Sequence, residues 1–191
     1  MNIKINKASN KNKDDIILVL PTQEYKEQVM TLRKTFLENK ESFDGCAGLE
    51  DVKTYEEWLN FDERLSKKYG ENFVKSSVYL AIRIEDNKLI GIIDFRYELS
   101  SEFLFNYGGN IGYSIAIDER KKGYAKKILK LMLDKCKEFG KDKVLLTCDK
   151  ENIASRKTII ANGGILENTI EDNVGLSKSG IIERYWIQLT N

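Results

Sequence analysis

A basic turn between an apolar stretch and a helical stretch carries the residue types of an anion-binding site. Residues 120–125 read RKKGYA and follow the apolar run 111–117. The first turn of a helix has backbone N–H groups without intrahelical partners, and the helix dipole adds positive potential there. Gly123 would let the main chain approach a ligand closely, and the cationic side chains beside it would attract phosphate oxygens. The pattern therefore predicts a pocket for a diphosphate.

Two common phosphate loops do not occur in this sequence. The string Gly-x-x-x-x-Gly-Lys-Ser/Thr is missing, and the glycines within 108–112 lack the dinucleotide-binding spacing and precede a predicted strand. What remains is Arg-x-x-Gly-x-Ala at 120–125. A solvated helix start with a basic turn is the alternative interpretation of this short pattern.

A second motif follows after one helix and one strand. Residues 144–148 predict a short strand, Asn152-x-x-Ser155 can open a helix, and Asn-Gly-Gly at 162–164 can close it. The two motifs resemble the coenzyme A loop, Gln/Arg-x-x-Gly-x-Gly/Ala, and the Asn-x-x-Ala/Ser helix of the GNAT superfamily of acetyltransferases. The chain also resembles a bacterial subset of predicted acetyltransferases through Gly-Gly-x-Ile-Gly-Tyr at 108–113 and Arg-Tyr-Trp-Ile at 184–187.

The resemblance implies the GNAT α/β fold: a mixed, mostly antiparallel sheet of six or seven strands with helices on both faces. We expect residues 1–13 to be a flexible or edge segment and residues 14–191 to form one acetyltransferase domain. Acetyl-CoA is the implied co-substrate, without a metal. The positions implied at the cofactor are Ile115, Ala116, Ile117, Arg120, Lys121, Lys122, Gly123, Tyr124, Ala125, Asn152 and Ser155.

The catalytic groups are less clear from the resemblance. Many family members carry a Tyr seven residues after the motif Asn, where this chain has Ile159. Tyr113 is our candidate for the general acid, and Ile159→Tyr would raise turnover if protonation of the leaving thiolate limits the rate. The alternatives are Tyr185, Tyr124, Ser155 and protonation by solvent. Tyr113 is alternatively a core tyrosine whose hydroxyl is tethered by a hydrogen bond.

Asp94 and Glu98 are candidates for the general base, because they are expected on one face of a predicted strand together with Arg96. The same three side chains alternatively form a charge ladder on that face. Glu183, or a water relayed to a distant carboxylate, is a further alternative. Cys148 is predicted to be a small buried side chain near the cofactor sulfur.

Composition excludes several classes of protein. Lys and Arg number 31 against 30 Asp and Glu, so no global field attracts nucleic acid or a membrane. The longest apolar runs are far shorter than the roughly 20 residues that span a bilayer, and the N-terminus lacks a secretory signal. Three cysteines without Cys-x-x-Cys spacing fit a reducing cytoplasm, and the lack of His excludes Ser-His and Cys-His chemistry.

Hydrophobic periodicity supplies the elements that would position these residues. A helix after Thr22 and another opened by a capping box at Thr54 and Glu57 are joined by a loop at 39–53. The resemblance places these two helices and their loop beside the acceptor, and the second helix is expected to bury Leu59. A third helix covers 123–139 and is expected to bury Ala125. Residues 100–110 and 172–180 are predicted loops. The predicted strands are 16–20, 78–84, 89–99, 111–117, 144–148, 165–171 and 181–189.

The sequence predicts an N-acetyltransferase that moves an acetyl group from acetyl-CoA to a primary amine by direct attack. Small-molecule amines such as amino acids, polyamines or aminoglycosides are favoured over ribosomal or histone tails. A non-catalytic acyl-CoA-binding sensor and a site for another phosphate ligand, such as a nucleotide, stay open. For the oligomeric state, a homodimer is one open alternative.

Overall fold

The computed structural model describes residues 15–67 and 74–189, so the expectation for residues 1–13 lies outside the described residues. Within the described ranges the chain forms seven strands and four α-helices. The strands are β1 (Ile16–Val19), β2 (Ser76–Arg83), β3 (Lys88–Arg96), β4 (Ile111–Ile115), β5 (Lys143–Asp149), β6 (Ile165–Glu171) and β7 (Ile181–Gln188). The helices are α1 (Lys26–Glu38), α2 (Tyr55–Ser66), α3 (Tyr124–Glu138) and α4 (Ile153–Ala161).

The strands form two antiparallel sheets with the orders β1-β2-β3-β4 and β5-β7-β6. The sheets meet just before β4, where the Asn110 N–H donates to the Leu145 carbonyl of β5 at 2.7 Å. The Leu145 N–H donates back to the Asn110 side chain at 2.8 Å. Beyond this junction the described parts of β4 and β5 belong to separate sheets, which leaves a splay between them. The seven predicted strands are confirmed, and they form two antiparallel sheets where one mixed, mostly antiparallel sheet was expected.

Helices cover both faces of these sheets. One core joins α1 and α2 to the first sheet around Phe36, Trp58 and Leu80. The other joins α3 and α4 to both sheets around Leu129 and Leu146. No described helix is both long and apolar enough to cross a bilayer.

The capping box that opens α2 is confirmed. The Glu57 N–H donates to the Thr54 hydroxyl at 3.2 Å, and the Glu57 carboxylate accepts from the Thr54 N–H at 3.2 Å. Thr22 behaves differently, because a short 3₁₀ turn at Gln23–Tyr25 precedes α1 and the Thr22 side chain does not cap it. Leu59, which was expected to be buried in α2, is half-buried.

The strand predicted at 111–117 ends earlier, at Ile115. The Ala116 N–H still donates to the Ile90 carbonyl of β3, but Ile117 begins a 3₁₀ turn over Ile117–Glu119. The turn forms because Glu119 is drawn inward to basic side chains of the first sheet. Ile117 therefore cannot act as a strand residue toward a ligand.

The loop predicted at 100–110 contains a π-helix at Leu104–Gly108. Its last turn is closed by the Gly109 N–H, which donates to the Leu104 carbonyl at 2.7 Å, and by Arg96, which donates to the Gly108 carbonyl at 2.9 Å. Because β3 ends at Arg96, Glu98 lies beyond the strand and is exposed, so it does not share a strand face with Asp94 as expected.

Candidate functional site

The bend before α3 is open to solvent. Gly123 is the N-cap of α3 and has φ 83°, a left-handed conformation that glycine adopts without strain. A Cβ built on Gly123 would have no neighbour within 4 Å, and Lys121 and Lys122 beside it are exposed. Because first-turn amides of a helix lack intrahelical partners, this bend presents N–H groups to a ligand. The predicted pocket has the room that an anion needs.

The side chains of the bend are arranged differently from the sequence prediction. Arg120 is paired with Glu41 of the loop after α1, at 2.9 Å. Lys122 is paired with Glu119, at 3.0 Å. Lys121 is exposed. Main-chain amides are therefore the principal donors of this site, because two of the three basic side chains already bind carboxylates. In α3 itself Tyr124 is buried, whereas Ala125, which was expected to be buried, is half-buried.

Glu119 fixes the turn that leads into α3. Its carboxylate is 2% exposed and accepts hydrogen bonds from Arg83, Lys88 and Lys122 at 2.6–3.1 Å. Burial alone would raise the pKa of Glu119, but these hydrogen bonds lower it to about 2. Arg83 also donates to the Tyr124 hydroxyl at 3.0 Å. The network anchors the bend before α3 to β2 and β3.

The second sequence motif closes the other side of the splay. Asn152 caps α4, and its Oδ1 accepts from the Ser155 N–H at 3.0 Å. The Tyr113 hydroxyl of β4 shares a 3.0 Å hydrogen bond with the Ser155 hydroxyl. Burial raises the pKa of Tyr113 to about 12, although the bond to Ser155 acts in the opposite direction. Three predicted site residues are thus brought together, and the phenol stays protonated at neutral pH.

The position where many family members carry Tyr lies in the core. Ile159 of α4 is fully buried, and a Cβ built on Gly164 would lie 2.4 Å from its Cγ2. The phenol of Tyr113 instead reaches α4 one turn earlier, from the strand β4. A phenolic hydroxyl therefore lies beside α4, but Tyr113 of β4 supplies it and not the residue at position 159.

Asp94 is buried and has hydrogen-bonding or ionic partners at both carboxylate oxygens. Its Oδ1 accepts from the Gly112 N–H of β4 at 2.9 Å, and its Oδ2 lies 3.0 Å from Nη2 of Arg96. Burial raises the pKa of Asp94, while Arg96 and the Gly112 N–H act in the opposite direction. The ion pair agrees with the charge-ladder interpretation for Asp94 and Arg96. Asp94 positions β4 through Gly112.

The other predicted base, Glu183 of β7, is bound by Arg156 of α4. Arg156 Nε and Nη2 donate to the two Glu183 oxygens at 2.7 and 2.8 Å, and the Tyr185 hydroxyl donates to Glu183 at 2.7 Å. Cys148 is buried, as predicted. Burial, together with the charge of Glu183, raises the pKa of Cys148 to about 12, so the thiol is neutral at physiological pH.

The loop between α1 and α2 is seated directly on β4. A Cβ on Gly45 would lie 2.1 Å from the Gly112 carbonyl oxygen, so the two main chains touch and only glycine fits. The Ser114 hydroxyl donates to the Asp44 carbonyl at 2.7 Å. Elements that the resemblance places beside the acceptor are therefore packed against the strand that borders the splay.

Asp62 of α2 is a carboxylate that the sequence did not single out. Its Oδ1 is buried and has no hydrogen-bond partner among the described residues. Burial raises the pKa of Asp62 to about 6, and the charge of Asp94 acts in the same direction. Nothing in the local pattern of α2 distinguishes Asp62 from its solvated acidic neighbours.

No cluster of His, Cys, Asp and Glu suited to a metal ion occurs among the residues that the structure describes. The donors gathered around the splay are main-chain amides, hydroxyls and an amide side chain. Such donors suit an anionic organic ligand.

The chain is similar to acetyltransferases in sequence pattern and in structure. A family model described as acetyltransferase (GNAT) domain matches residues 33–164. The microcin C7 self-immunity acetyltransferase MccE, solved with acetyl-CoA and AMP, has a TM-score of 0.65 at 18% identity, covering 93% of each chain. The ribosomal L7/L12 α-N-protein acetyltransferase RimL, solved with coenzyme A, has a TM-score of 0.63 at 17% identity, covering 91% of this chain and 93% of that one.

A third solved structure is yncA of Salmonella typhimurium with acetyl-CoA, at a TM-score of 0.62 and 13% identity, covering 92% of this chain and 95% of that one. No curated protein matches this chain in sequence. At these identities the solved structures establish the fold, while the family model spans more than half of the chain. This protein belongs to the GNAT family of acetyltransferases and is an acyltransferase.

Proposed function

We propose that this protein transfers an acetyl group from acetyl-CoA to a primary amine of a small molecule. The observation that carries the proposal is the open first turn of α3 at Gly123, beside the splay between β4 and β5. An amide-lined bend fits a diphosphate, and a splay fits an extended chain that pairs with a strand edge. The relatives MccE and yncA were solved with acetyl-CoA, which supports the same co-substrate here.

Different segments of the chain would bind different parts of acetyl-CoA. Amides at the start of α3 would hold the diphosphate, with Lys121 as an exposed cation beside them. The main chain at Ile115 and Ala116 would pair with the pantetheine amides, and Asn152 and Ser155, which hydrogen-bond to each other, would approach the coenzyme from the start of α4. When bound, acetyl-CoA supplies an acetyl group activated as a thioester.

The reaction requires two proton transfers, one to the leaving sulfur and one from the attacking amine. The amine nitrogen bonds to the acetyl carbon, the carbon–sulfur bond breaks, and the products are an amide and the coenzyme A thiol. Tyr113 donates its proton to the departing sulfur and is reprotonated from solvent. Arg96 and Gly112 occupy both oxygens of Asp94, so we assign the proton lost by the amine to water. Glu98, exposed beyond the end of β3, is the other candidate for accepting this proton.

The nature of the acceptor rests on charge and composition. With 31 basic and 30 acidic residues, the chain has no net negative charge that would attract a polycationic protein tail. The cysteines Cys46, Cys136 and Cys148 are free and buried, which supports a reducing, cytoplasmic location.

The deciding measurement is release of thiol from acetyl-CoA across a panel of small amines, with mass spectrometry of the acetylated product. Turnover with at least one amine supports the proposal. Thermal stabilisation by acetyl-CoA without turnover on any amine would identify a sensor instead. Stabilisation by ATP that coenzyme A does not displace would identify another phosphate ligand.

A further inference from the structure

Arg184, in the Arg-Tyr-Trp-Ile segment, is one of the most deeply buried charged residues of the chain. It lies in the central strand β7 and is 4% exposed. One nitrogen, Nη1, donates to Asn168 at 3.1 Å and lies 3.0 Å from the Glu167 carboxylate. The other two nitrogens, Nε and Nη2, are buried and have no hydrogen-bond partner among the described residues.

An unpartnered edge on a buried guanidinium is costly. Arginine does not lose its charge in proteins, so it cannot relieve the cost by deprotonating. A buried donor that loses its water without gaining an acceptor retains the full desolvation penalty, which is larger for charged groups. The two free donors of Arg184 therefore require an acceptor that is not supplied by the described residues.

Two other arginines show what this edge binds. Arg156 uses Nε and Nη2 to bind both oxygens of Glu183, and Arg83 uses the same two nitrogens to bind both oxygens of Asp86. The Nε–Nη2 edge is a planar fork that matches two oxygens of one oxyanion. In Arg184 the fork is present without its oxyanion.

The fork lies on the side of the second sheet away from α3 and α4. Arg184 pairs in register with Thr147 of β5, which is two residues beyond the junction at Leu145. Neighbouring strands are about 4.8 Å apart, so Arg184 is one strand from the splay. The diphosphate-binding bend belongs to α3, which packs on the opposite face. An acceptor in the splay on this face would lie one strand away from Arg184.

The aromatic ring of Phe105 lies over the guanidinium of Arg184. Phe105 of the π-helix places its ring centroid 4.6 Å from the Arg184 guanidinium carbon and is itself 43% exposed. The π-helix is attached to β5 by a hydrogen bond from the Thr147 hydroxyl to the Tyr107 carbonyl. Phe105 is therefore an exposed side chain directly beside the Arg184 guanidinium.

We propose that the Nε–Nη2 fork of Arg184 binds an oxyanion of the acceptor, a carboxylate or a phosphate, while the amine of the same molecule reaches the splay. The inference rests on the proposed function and narrows its substrate class to amino acids or aminoalkyl phosphates. Polyamines and aminoglycosides, which lack an oxyanion, are then poor acceptors.

The first test compares matched acceptors in the thiol-release assay. Each amino acid is paired with its amide and its decarboxylated amine, and O-phosphoethanolamine is paired with ethanolamine. The member of each pair that carries a carboxylate or a phosphate is expected to have a kcat/KM about 10- to 100-fold higher than the member that lacks this oxyanion. Arg184→Lys keeps the charge but removes the fork, and it should abolish that preference while the Kd for coenzyme A stays unchanged.

Glu167→Gln is the matched variant on the other side of Arg184. It removes a competing carboxylate, so KM for the oxyanion-bearing acceptor should fall. A purely structural role of Arg184 predicts instead that Glu167→Gln alters stability without changing KM. If the wild type has an equal or higher kcat/KM for the amines that lack an oxyanion, the Arg184 proposal is wrong, while the acetyltransferase proposal still holds.

A second readout does not depend on turnover. The Nε–Hε signal of Arg184, assigned by its loss in Arg184→Lys, is followed by nuclear magnetic resonance during titration with acetate and with inorganic phosphate. A saturable shift with either anion supports the fork and identifies which oxyanion it prefers. An unmoved Arg184 signal with both anions overturns the proposal, whether or not any amine is acetylated.

Discussion

Arg120, at the entrance to α3, binds both carboxylate oxygens of Glu41. Its Nη1 lies 2.9 Å from Oε1 and its Nη2 lies 3.0 Å from Oε2, and its Nε donates to the Ile115 carbonyl at 3.1 Å. The guanidinium therefore ties the loop after α1 to the end of β4. Arg120 therefore positions the loop after α1, and its guanidinium is already occupied by Glu41 and Ile115.

Arg120→Gln and Glu41→Gln should have similar effects. Each variant should lower the free energy of unfolding by about 0.5–1 kcal/mol, because the pair is partly exposed, and the double variant should lose less than the sum. Urea unfolding measures this coupling, and calorimetry should give nearly unchanged Kd values for coenzyme A. A loss of affinity of about tenfold in Arg120→Gln alone would mean that Arg120 leaves Glu41 to bind the diphosphate.

Gly123 offers a direct test of the diphosphate site. Gly123→Glu should weaken binding of coenzyme A by about 100-fold or more, because a carboxylate would lie beside the expected phosphates. Gly123→Ala is the matched control. In both variants the residue must adopt the same left-handed backbone conformation, which costs about 1 kcal/mol of stability. A Cβ at this position meets no neighbour. Coenzyme A affinity that is equal in the Glu and Ala variants would place the diphosphate elsewhere.

Tyr113→Phe tests the assigned proton donor. We expect kcat to fall by about 100-fold with little change in the Kd for acetyl-CoA, because the ring is retained and the phenolic proton is lost. Since the pKa of Tyr113 is about 12, kcat of the wild type should not decline between pH 7 and 10 through loss of this proton. Ser155→Ala separates positioning from chemistry, since it removes the partner of the hydroxyl but keeps the acid. Unchanged kcat in Tyr113→Phe would leave protonation of the thiolate to solvent.

Asp62 should make stability depend on pH. Burial raises its pKa from 3.8 to about 6 in the folded state, so the protonated form is favoured there. The stability that this group contributes is complete below pH 4 and is lost as the pH rises through 6. At pH 8 the free energy of unfolding of Asp62→Asn, measured with urea, should therefore exceed that of the wild type by about 1–3 kcal/mol. This difference should vanish near pH 4. A difference of equal size at both pH values would point to a cause other than ionisation.

Local patterns predicted the parts of the site that depend on neighbouring residues. Asn152 as the cap of α4 and a helix beginning at Gly123 were predicted from residue types a few positions apart; Asn152 caps α4, and α3 begins one residue later with Gly123 as its N-cap. The pairs Arg120–Glu41 and Tyr113–Ser155 join residues 79 and 42 positions apart, so no local periodicity encodes them. The unpartnered Nε–Nη2 edge of Arg184 could not be predicted from the sequence either. It depends on how the side chains of three strands and a π-helix pair in the folded structure.

Ile159→Tyr shows how the structure changes a prediction made from the family resemblance. The sequence suggested that this variant would raise turnover if thiolate protonation is limiting, but Ile159 is fully buried against Gly164. A phenol at that position overpacks the core, so we expect a loss of about 1–3 kcal/mol in the free energy of unfolding and no gain in kcat. Ile160→Tyr, at a site that is 52% exposed on the same helix, is the control and should leave both quantities nearly unchanged. An Ile159→Tyr variant as stable as the wild type and faster in thiol release would mean that α4 can turn this side chain into the splay, where it would take over the role assigned to Tyr113.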